Sequence, residues 1–219
     1  MTADEAIAFI QEQLGFRTDL SSTILLNLQR AQTMLEAEPT KPWWLVSENM
    51  TTTTTADEPR LEVPENMLHQ VDQASLRYIP ASPSATFQER TLRKDDYDIL
   101  LANYHSTLTG TQLTGEPKAY ALQGEYFRLF PTPDDAYTIQ IIVFKQDTEL
   151  TTGGIENGWL KWVPFFLIGK AGGLTARSLR DKEAISFFSN MENEGRVALY
   201  GLNEAREHAD QRYQMGGPH

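Results

Sequence analysis

The side chains that most often carry catalysis or metal binding occur in this chain without the spacing that a site needs. Its four histidines lie far apart and form no His-x-x-x-His pair: His69, His105, His208 and His219. Cysteine is absent, which excludes a thiolate metal site and a cysteine nucleophile. A phosphate-binding loop and a Gly-x-Ser-x-Gly turn are also missing, although a Ser-His-Asp triad can assemble in space without such a motif. We therefore expect no metal, no cofactor and no enzymatic activity.

Acidic side chains leave one enzymatic alternative open. A pair drawn from Glu125, Asp134, Asp135 and Asp147 could act in glycan hydrolysis, which needs two carboxylates about 5 to 9.5 Å apart. In a chain with 30 acidic and 19 basic residues, a solvated acidic surface is the simpler interpretation. The net charge of −11 also disfavours binding to a polyanion, so we expect negligible affinity for duplex DNA and no specific nucleic-acid binding.

Four tryptophans are the most distinctive apolar feature of the chain. Trp43 and Trp44 are adjacent and join a predicted helix to the first predicted strand, a position that favours a plug in a core or a subunit seam. We expect them, with Trp159 and Trp162, to act as subunit or hinge anchors. The alternative is a sugar-binding module in which Trp43 and Trp44 form an exposed stacking platform.

A polar tract follows these tryptophans directly. It contains Thr51, Thr52, Thr53, Thr54 and Thr55 and no apolar residue that could anchor it in a core. Threonine favours extended backbone, and loops without packing partners adapt most readily to a binding partner. The tract is therefore predicted to be an adaptable loop or a hairpin tip.

Apolar residues recur at helical spacing in several parts of the chain. The pattern predicts a short helix closed by Gly15, a second helix over 18–38, a third over 94–105, and C-terminal helices over 158–181 and 182–214. Nine residues on these stripes are expected to form one helical core: Ile24, Leu28, Leu35, Leu100, Leu101, Leu160, Leu167, Phe188 and Leu202.

Strand patterns separate the helices. Alternating apolar residues predict short strands in RLEVP and SLRYIP, and a hairpin that joins EYFRLF to YTIQIIVFK through a turn at Pro131, Pro133 and Asp134. The predicted fold class is α+β, a helical bundle with an inserted small antiparallel β lobe. We expect a discontinuous helical core over 1–40, 92–107 and 156–213, a β lobe over 43–91 and 116–150, and an extended C-terminal arm over 214–219.

Neither the N-terminal segment nor the apolar runs of the chain indicate a membrane protein. The segment MTADEAIAFI has acidic residues where a secretory signal needs basic ones, and the densest apolar run, WLKWVPFFLIG, is interrupted by Lys161 and Pro164. A membrane-spanning helix needs about 20 apolar residues, more than this run offers. We therefore expect a soluble protein with no membrane partner.

One ordered series of segments resembles the head-to-tail adaptor proteins of tailed bacteriophages. The series is GFRTDLSSTILLNLQRAQTMLE, PWWL, LEVPENML, LRY, DDYDILLANY, GEPKAYA, FRLFPTPDDAYTIQIIVFK and NGWLKWVPFFLIGKAGGLTA, and it covers nearly the whole chain. Three motifs recur in such adaptors, including the tail tubular protein A type of short-tailed phages: Gly-x-Pro-x-x-Tyr at 115–120, Pro-x-Pro-Asp at 131–134 and Asn-x-Trp-Leu at 157–160. The stretch VPFFLIGKAGG is bulkier than the alanine-rich stretch usual there, so local helix packing is expected to differ.

This resemblance implies a structural role without turnover. Adaptors of this kind form a ring, commonly of twelve copies, beneath the portal, and they join the capsid vertex to the tail and let DNA pass. The implied partners are the portal protein, a tail or nozzle protein and further copies of the chain. The implied location is the head-tail connector of the virion, assembled in the host cytoplasm. Such adaptors dock onto the portal through C-terminal segments, which here means Tyr213, Gln214, Met215, Gly216, Gly217, Pro218 and His219.

Overall fold

The structure is a computed structural model, and it describes residues 1–64, 66–70, 76–79, 90–105, 112–154 and 156–215. In chain order the helices are α1 (Ala3–Gln13), α2 (Ser21–Glu36), α3 (Tyr97–Asn103), α4 (Gly158–Trp162), α5 (Pro164–Leu179) and α6 (Lys182–Met215). The strands are β1 (Val46–Thr53), β2 (Arg60–Glu62), β3 (Met67–Gln70), β4 (Leu76–Ile79), β5 (Arg90–Thr91), β6 (Arg93–Lys94), β7 (Ala119–Gln123), β8 (Tyr126–Phe130) and β9 (Thr138–Lys145). The predicted α+β class is confirmed.

The chain folds into two compact units. Met1–Leu45 and Asp147–His219 form the helical unit, and Val46–Gln146 forms the β unit. The β unit is therefore one continuous insertion into the helical unit. The predicted division differs in three places. Residues 92–107 were expected in the helical core and belong to the β unit, whereas residues 43–45 and 147–150 were expected in the β lobe and belong to the helical unit.

The helical unit is built on the apolar stripe of α2. Ile24, Leu28 and Leu35 are fully buried, as their helical spacing predicted, and α2 packs against α5. Two glycines on α5 let α6 approach closely. A Cβ at Gly172 would fall 2.4 Å from the ring of Phe188, which is fully buried in the space that the glycine leaves.

Three further predicted core residues belong to the last three helices. Leu160 and Leu167 are buried as expected. Leu202 is only partly buried, because the apolar stripe of α6 becomes less enclosed toward the C-terminal end of the helix. The side chains of α6 that are fully buried or nearly so end with Leu199 in the described part of the helix.

The β unit encloses one apolar core between two sheets. In the first sheet β9 pairs with β1 on one side and with β4 and β3 on the other, and β4 pairs with β5. In the second sheet the order is β2, β8, β7, β6. Side chains of both sheets meet in the core, which contains Leu61, Leu76, Leu92, Tyr120, Phe127, Leu129, Ile139, Ile141 and Val143.

The predicted hairpin between β8 and β9 is wrong. β8 pairs with β7 and β2, whereas β9 belongs to the other sheet. The hairpin that forms instead joins β7 to β8 through Gly124 and Glu125, with Gly124 at a φ of +62°, a backbone conformation that glycine adopts without strain. The segment with Pro131 and Pro133 crosses from one sheet to the other.

The third helix exists as predicted but packs elsewhere. Leu100 of α3 is buried against Ala119, Ala121 and Phe130 of β7 and β8, and Leu101 packs at the edge of the same cluster. The expectation that Leu100 and Leu101 join the helical core is therefore wrong. The stripe on α3 indicated correctly that the helix has a buried face, but helical periodicity carries no information on which element covers that face.

Candidate assembly surfaces

The four predicted anchors come together in one aromatic cluster of the helical unit. Ring centroids of Trp43 and Trp44 lie 5.9 Å apart, those of Trp43 and Trp162 5.3 Å, and those of Trp44 and Trp159 5.5 Å. Two short elements position the rings: the 3-10 turn Trp43–Leu45 and α4. This tryptophan cluster joins the chain just before the β unit to the start of the C-terminal helices.

Exposure increases along the tryptophan cluster. Trp159 is fully buried, whereas Trp162 is 40% exposed. Arg206 lies over the ring of Trp43 at 4.2 Å from the centroid, and Lys161 lies over Trp162 at 5.2 Å. This arrangement does not favour the alternative of an exposed platform at Trp43 and Trp44, because Arg206 of α6 lies over the ring of Trp43 and both tryptophans are partly buried.

A buried carboxylate holds the elements around this cluster. Glu36 is 3% exposed, and its Oε1 accepts hydrogen bonds from Gln32 Nε2 at 2.9 Å, from the Asp147 backbone N–H at 3.1 Å and from Trp159 Nε1 at 3.4 Å. Burial raises the pKa of the Glu36 carboxyl above its ordinary value of 4.5. Asn157 Nδ2 donates to Gln32 Oε1 at 3.1 Å, which extends the network to the start of α4.

Sequence reasoning missed this network. Gln32 and Glu36 are four residues apart on α2, and both fall on the buried stripe between apolar residues. A polar pair inside an apolar stripe indicates a buried polar contact, because buried polar groups are nearly always hydrogen-bonded. A buried polar contact at Gln32 and Glu36 could therefore have been predicted from the sequence. The partners Asp147 and Trp159 could not, because they lie more than 100 residues away in the chain.

The threonine tract is not a loop over most of its length. Thr51, Thr52 and Thr53 end β1 and pair with Gln140, Ile139 and Thr138 of β9. Thr54 is buried, and its hydroxyl donates to the Asp135 carbonyl at 3.0 Å and accepts from the Tyr137 backbone N–H at 2.9 Å. The predicted adaptable loop is therefore wrong for residues 51–53, since these β-branched residues form a strand. Thr54 and Thr55 follow the strand without regular secondary structure, and Thr54 is buried.

Part of the segment predicted to be an extended C-terminal arm is helical. Tyr213, Gln214 and Met215 lie in α6, so the expectation of an extended chain from residue 214 is wrong for Gln214 and Met215. Gly216, Gly217, Pro218 and His219 lie outside the described residues. The physical reason is that nothing in the sequence before Gly216 breaks a helix.

The candidate carboxylates take part in local structure. Asp134 accepts a hydrogen bond from the Tyr137 hydroxyl at 2.6 Å, which raises the pKa of Tyr137 to about 12. Asp135 Oδ1 accepts from the Ala136 backbone N–H at 2.7 Å. Both therefore shape the connection before β9. In the described ranges, no group of three or more histidine, aspartate and glutamate side chains is arranged to hold a metal ion.

The helical unit also exposes large apolar side chains. Phe16 is 74% exposed and has a positive φ of 59°, a conformation that costs energy in a non-glycine residue. On the outer side of α6, Val197 is 71% exposed and Tyr200, one helical turn further on, is also exposed. Neighbouring apolar side chains on a polar helix face are typical of a contact surface.

Comparison with known proteins identifies the chain. The described helices include none that is long and apolar enough to cross a membrane. A search of curated proteins finds no match. The family model for the SU10 adaptor protein matches residues 1–166, which include α1 to α4, the whole β unit and the tryptophan cluster. The chain therefore belongs to the SU10 adaptor protein family and is a bacteriophage head-tail adaptor.

Proposed function

We propose that twelve copies of the chain form a ring below the phage portal, which joins the capsid vertex to the tail and lets DNA pass. Family membership gives the chain an adaptor role in the virion, with head and tail components as partners. The ring, its copy number and its direct contact with the portal go beyond that membership. The observation that carries the proposal is the family match over residues 1–166.

The exposed apolar side chains of the helical unit support contact between copies. A ring requires two different surfaces on each subunit, one for each neighbour. Phe16 beside α1 and the pair Val197 and Tyr200 on α6 offer apolar surface of the kind found at the centre of interfaces. The tryptophan cluster serves inside the subunit in this proposal, as the anchor of the chain just before the β unit.

The C-terminal segment from Tyr213 to His219 is proposed to dock onto the portal. A helical end that continues into Gly216, Gly217 and Pro218 can leave the helix direction, because this sequence does not extend a helix. Such a terminal segment can add to a portal after the subunit has folded. The acidic net charge of −11 suits a channel wall that does not grip the passing DNA.

Electron microscopy of portal particles mixed with the purified chain tests this function. We expect a ring of extra density on one side of the portal, and its rotational symmetry gives the copy number. Deletion of residues 213–219 should leave thermal unfolding unchanged and abolish decoration. Val197→Asp should weaken ring formation, whereas Ser186→Asp, at another exposed position of α6, should not. Undecorated portals with the full chain would refute the proposed function.

A further inference from the structure

The outer edge of β1 is free in the part of the chain that the structure describes. β1 is the last strand of its sheet and pairs only with β9. Its described side chains are partly buried or exposed, and none is buried. A free edge presents a row of backbone N–H and C=O groups to which another strand can pair.

The register identifies which backbone groups point outward. The Thr54 N–H donates to the Tyr137 carbonyl at 2.9 Å, so this pair is a hydrogen-bonded one. Hydrogen-bonded and non-hydrogen-bonded pairs alternate along an antiparallel ladder, so Thr52 faces β9, whereas Thr51 and Thr53 direct their N–H and C=O groups away from it. Both residues, Thr51 and Thr53, are also exposed.

The usual protection of an edge strand is missing at this end of β1. β2, at the edge of the other sheet, has three residues, two of which are charged. A bulge between Ser47 and Met50 interrupts the first part of β1, but Met50–Thr53 is regular and contains no proline and no charged residue. Natural proteins blunt exposed edges with charge, proline, bulges or short length, so an unblunted stretch indicates a use for the edge.

Negative charge surrounds the C-terminal end of this edge. Asp57 and Glu58 follow the strand, and Asp134 and Asp135 lie in the neighbouring connection; all four are exposed. The two connections meet, since the Asp57 N–H donates to the Pro133 carbonyl at 2.8 Å. A segment that pairs with Thr51 and Thr53 and continues past Thr53 would therefore run toward an acidic end of the β unit, with Asp57 and Glu58 on the chain that directly follows the strand.

We propose that the β1 edge binds an extended segment of a head or tail protein as an added strand, with lysine or arginine next to the end at Thr53. Main-chain hydrogen bonds at Thr51 and Thr53 supply affinity, and the exposed carboxylates of Asp57 and Glu58, which follow the strand, select a basic segment. The proposal deepens the adaptor function and rests on it, because it names the chemistry of a partner segment. It also gives the threonine tract a role, as a strand that pairs through its backbone.

Peptide binding to the full-length chain tests this site. The probes are overlapping peptides of about twelve residues that cover the portal and tail proteins of the same phage, long enough for a strand with flanking charges. We expect a basic peptide to bind by fluorescence anisotropy, more weakly at high salt, and to slow hydrogen exchange at the amides of Thr51 and Thr53. Absence of any such peptide, or binding only of acidic ones, overturns the proposal.

Two substitutions at one position separate backbone pairing from side-chain contact. Thr51→Pro removes an outward N–H and spares the ladder with β9, since proline is tolerated at edge positions of this kind. We expect it to weaken binding about tenfold, and Thr51→Ala, which keeps the N–H, to change it by less than about twofold. Equal binding by both variants overturns the proposal. If Thr51→Pro shows lower thermal stability than Thr51→Ala, Thr53→Pro provides the same test at the next outward position.

The charge requirement has its own variant. Asp57→Asn with Glu58→Gln removes two charges and keeps side-chain shape, so it should weaken binding and reduce its salt dependence. Unchanged salt dependence would contradict a basic partner segment.

A cysteine at position 51 tests whether a second copy of the chain occupies this edge. If it does, Thr51→Cys should form a covalent dimer without peptide, and that result would overturn the proposal. If the chain decorates portals but no peptide binds at the β1 edge, this inference is refuted and the adaptor function is not.

Discussion

Gly195 of α6 lies directly against the backbone of Phe166 in α5. A Cβ at Gly195 would fall 2.2 Å from the Phe166 backbone nitrogen, a distance at which one of the helices must move. Gly169 of α5 repeats the arrangement, with a Cβ 2.4 Å from the backbone nitrogen of Glu192. The two helices are thus in backbone contact at two points, and both points require a residue without a side chain.

Replacement of Gly195 by alanine should destabilise the helical unit. An added methyl group meets backbone and cannot be relieved by rotation of a side chain, so we expect a loss of about 1–3 kcal/mol or more in the free energy of unfolding. Gly201→Ala is the matched control on the same helix, because an alanine methyl group there would have no atom within 4 Å. Gly201→Ala should raise the free energy of unfolding by about 1 kcal/mol, because alanine favours a helix more than glycine does. Urea unfolding of the parent and both variants measures these changes.

Glu36 should make stability depend on pH. Burial raises its folded pKa, so its contribution is fully present below the unfolded value of 4.5 and is lost as pH rises through the folded pKa. Glu36→Gln keeps an oxygen for the three donors and removes the titration. We expect the free energy of unfolding of the parent to fall relative to Glu36→Gln as pH rises above 4.5. A difference between them that does not change with pH would contradict this.

A buried pair links α2 to α5. Asn27 Nδ2 donates to Thr175 Oγ1 at 3.0 Å, and the threonine hydroxyl donates in turn to the Ala171 carbonyl at 2.9 Å. Thr175→Val leaves the buried amide without this acceptor and should cost about 1–3 kcal/mol. The double variant Asn27→Leu, Thr175→Val should cost less than the sum of the single changes. Additive losses in a double-mutant cycle would mean that the pair is not coupled.

Replacement of Phe16 by glycine should stabilise the protein. Its φ of 59° costs a residue with a side chain about 1–2 kcal/mol relative to glycine, and its exposed ring contributes little packing. Phe16→Gly should therefore raise the free energy of unfolding, and Phe16→Ala, which keeps the strain, should not. If Phe16 also contacts a neighbouring copy, both variants should weaken ring assembly on the portal. A destabilised Phe16→Gly would show that the ring packs more than its exposure indicates.

Local periodicity predicted the helices well and the strand pairing poorly. Ile24, Leu28 and Leu35 are buried because a stripe on a helix reports directly which face is covered. The alternation in β9 predicted a strand in the same way, but its partners β1, β3 and β4 lie far away in the chain. A period of two residues fixes the faces of a strand and leaves its neighbours undetermined.

The same limit applies to the candidate sites: features within a short segment could be predicted, and features that depend on residues far apart in the chain could not. The tryptophans were recognisable because four large rings in an acidic chain need a place to pack. The buried carboxylate of Glu36 was not recognised, since its role depends on Asp147 and Trp159, more than 100 residues away. The free edge at Thr51 and Thr53 likewise became visible only once the pairing with β9 was known.

The unequal lengths of the last two helices have a mechanical consequence. α6 has 34 residues and α5 has 16, so α6 is about 51 Å long against about 24 Å for its neighbour. Past Gly195 the last side-chain contact described on α6 is that of Arg206 with Trp43, and residues 207–215 continue for about 13 Å. A pull on the C-terminal end of α6 is therefore carried along the helix to the tryptophan cluster, where Arg206 lies over the ring of Trp43.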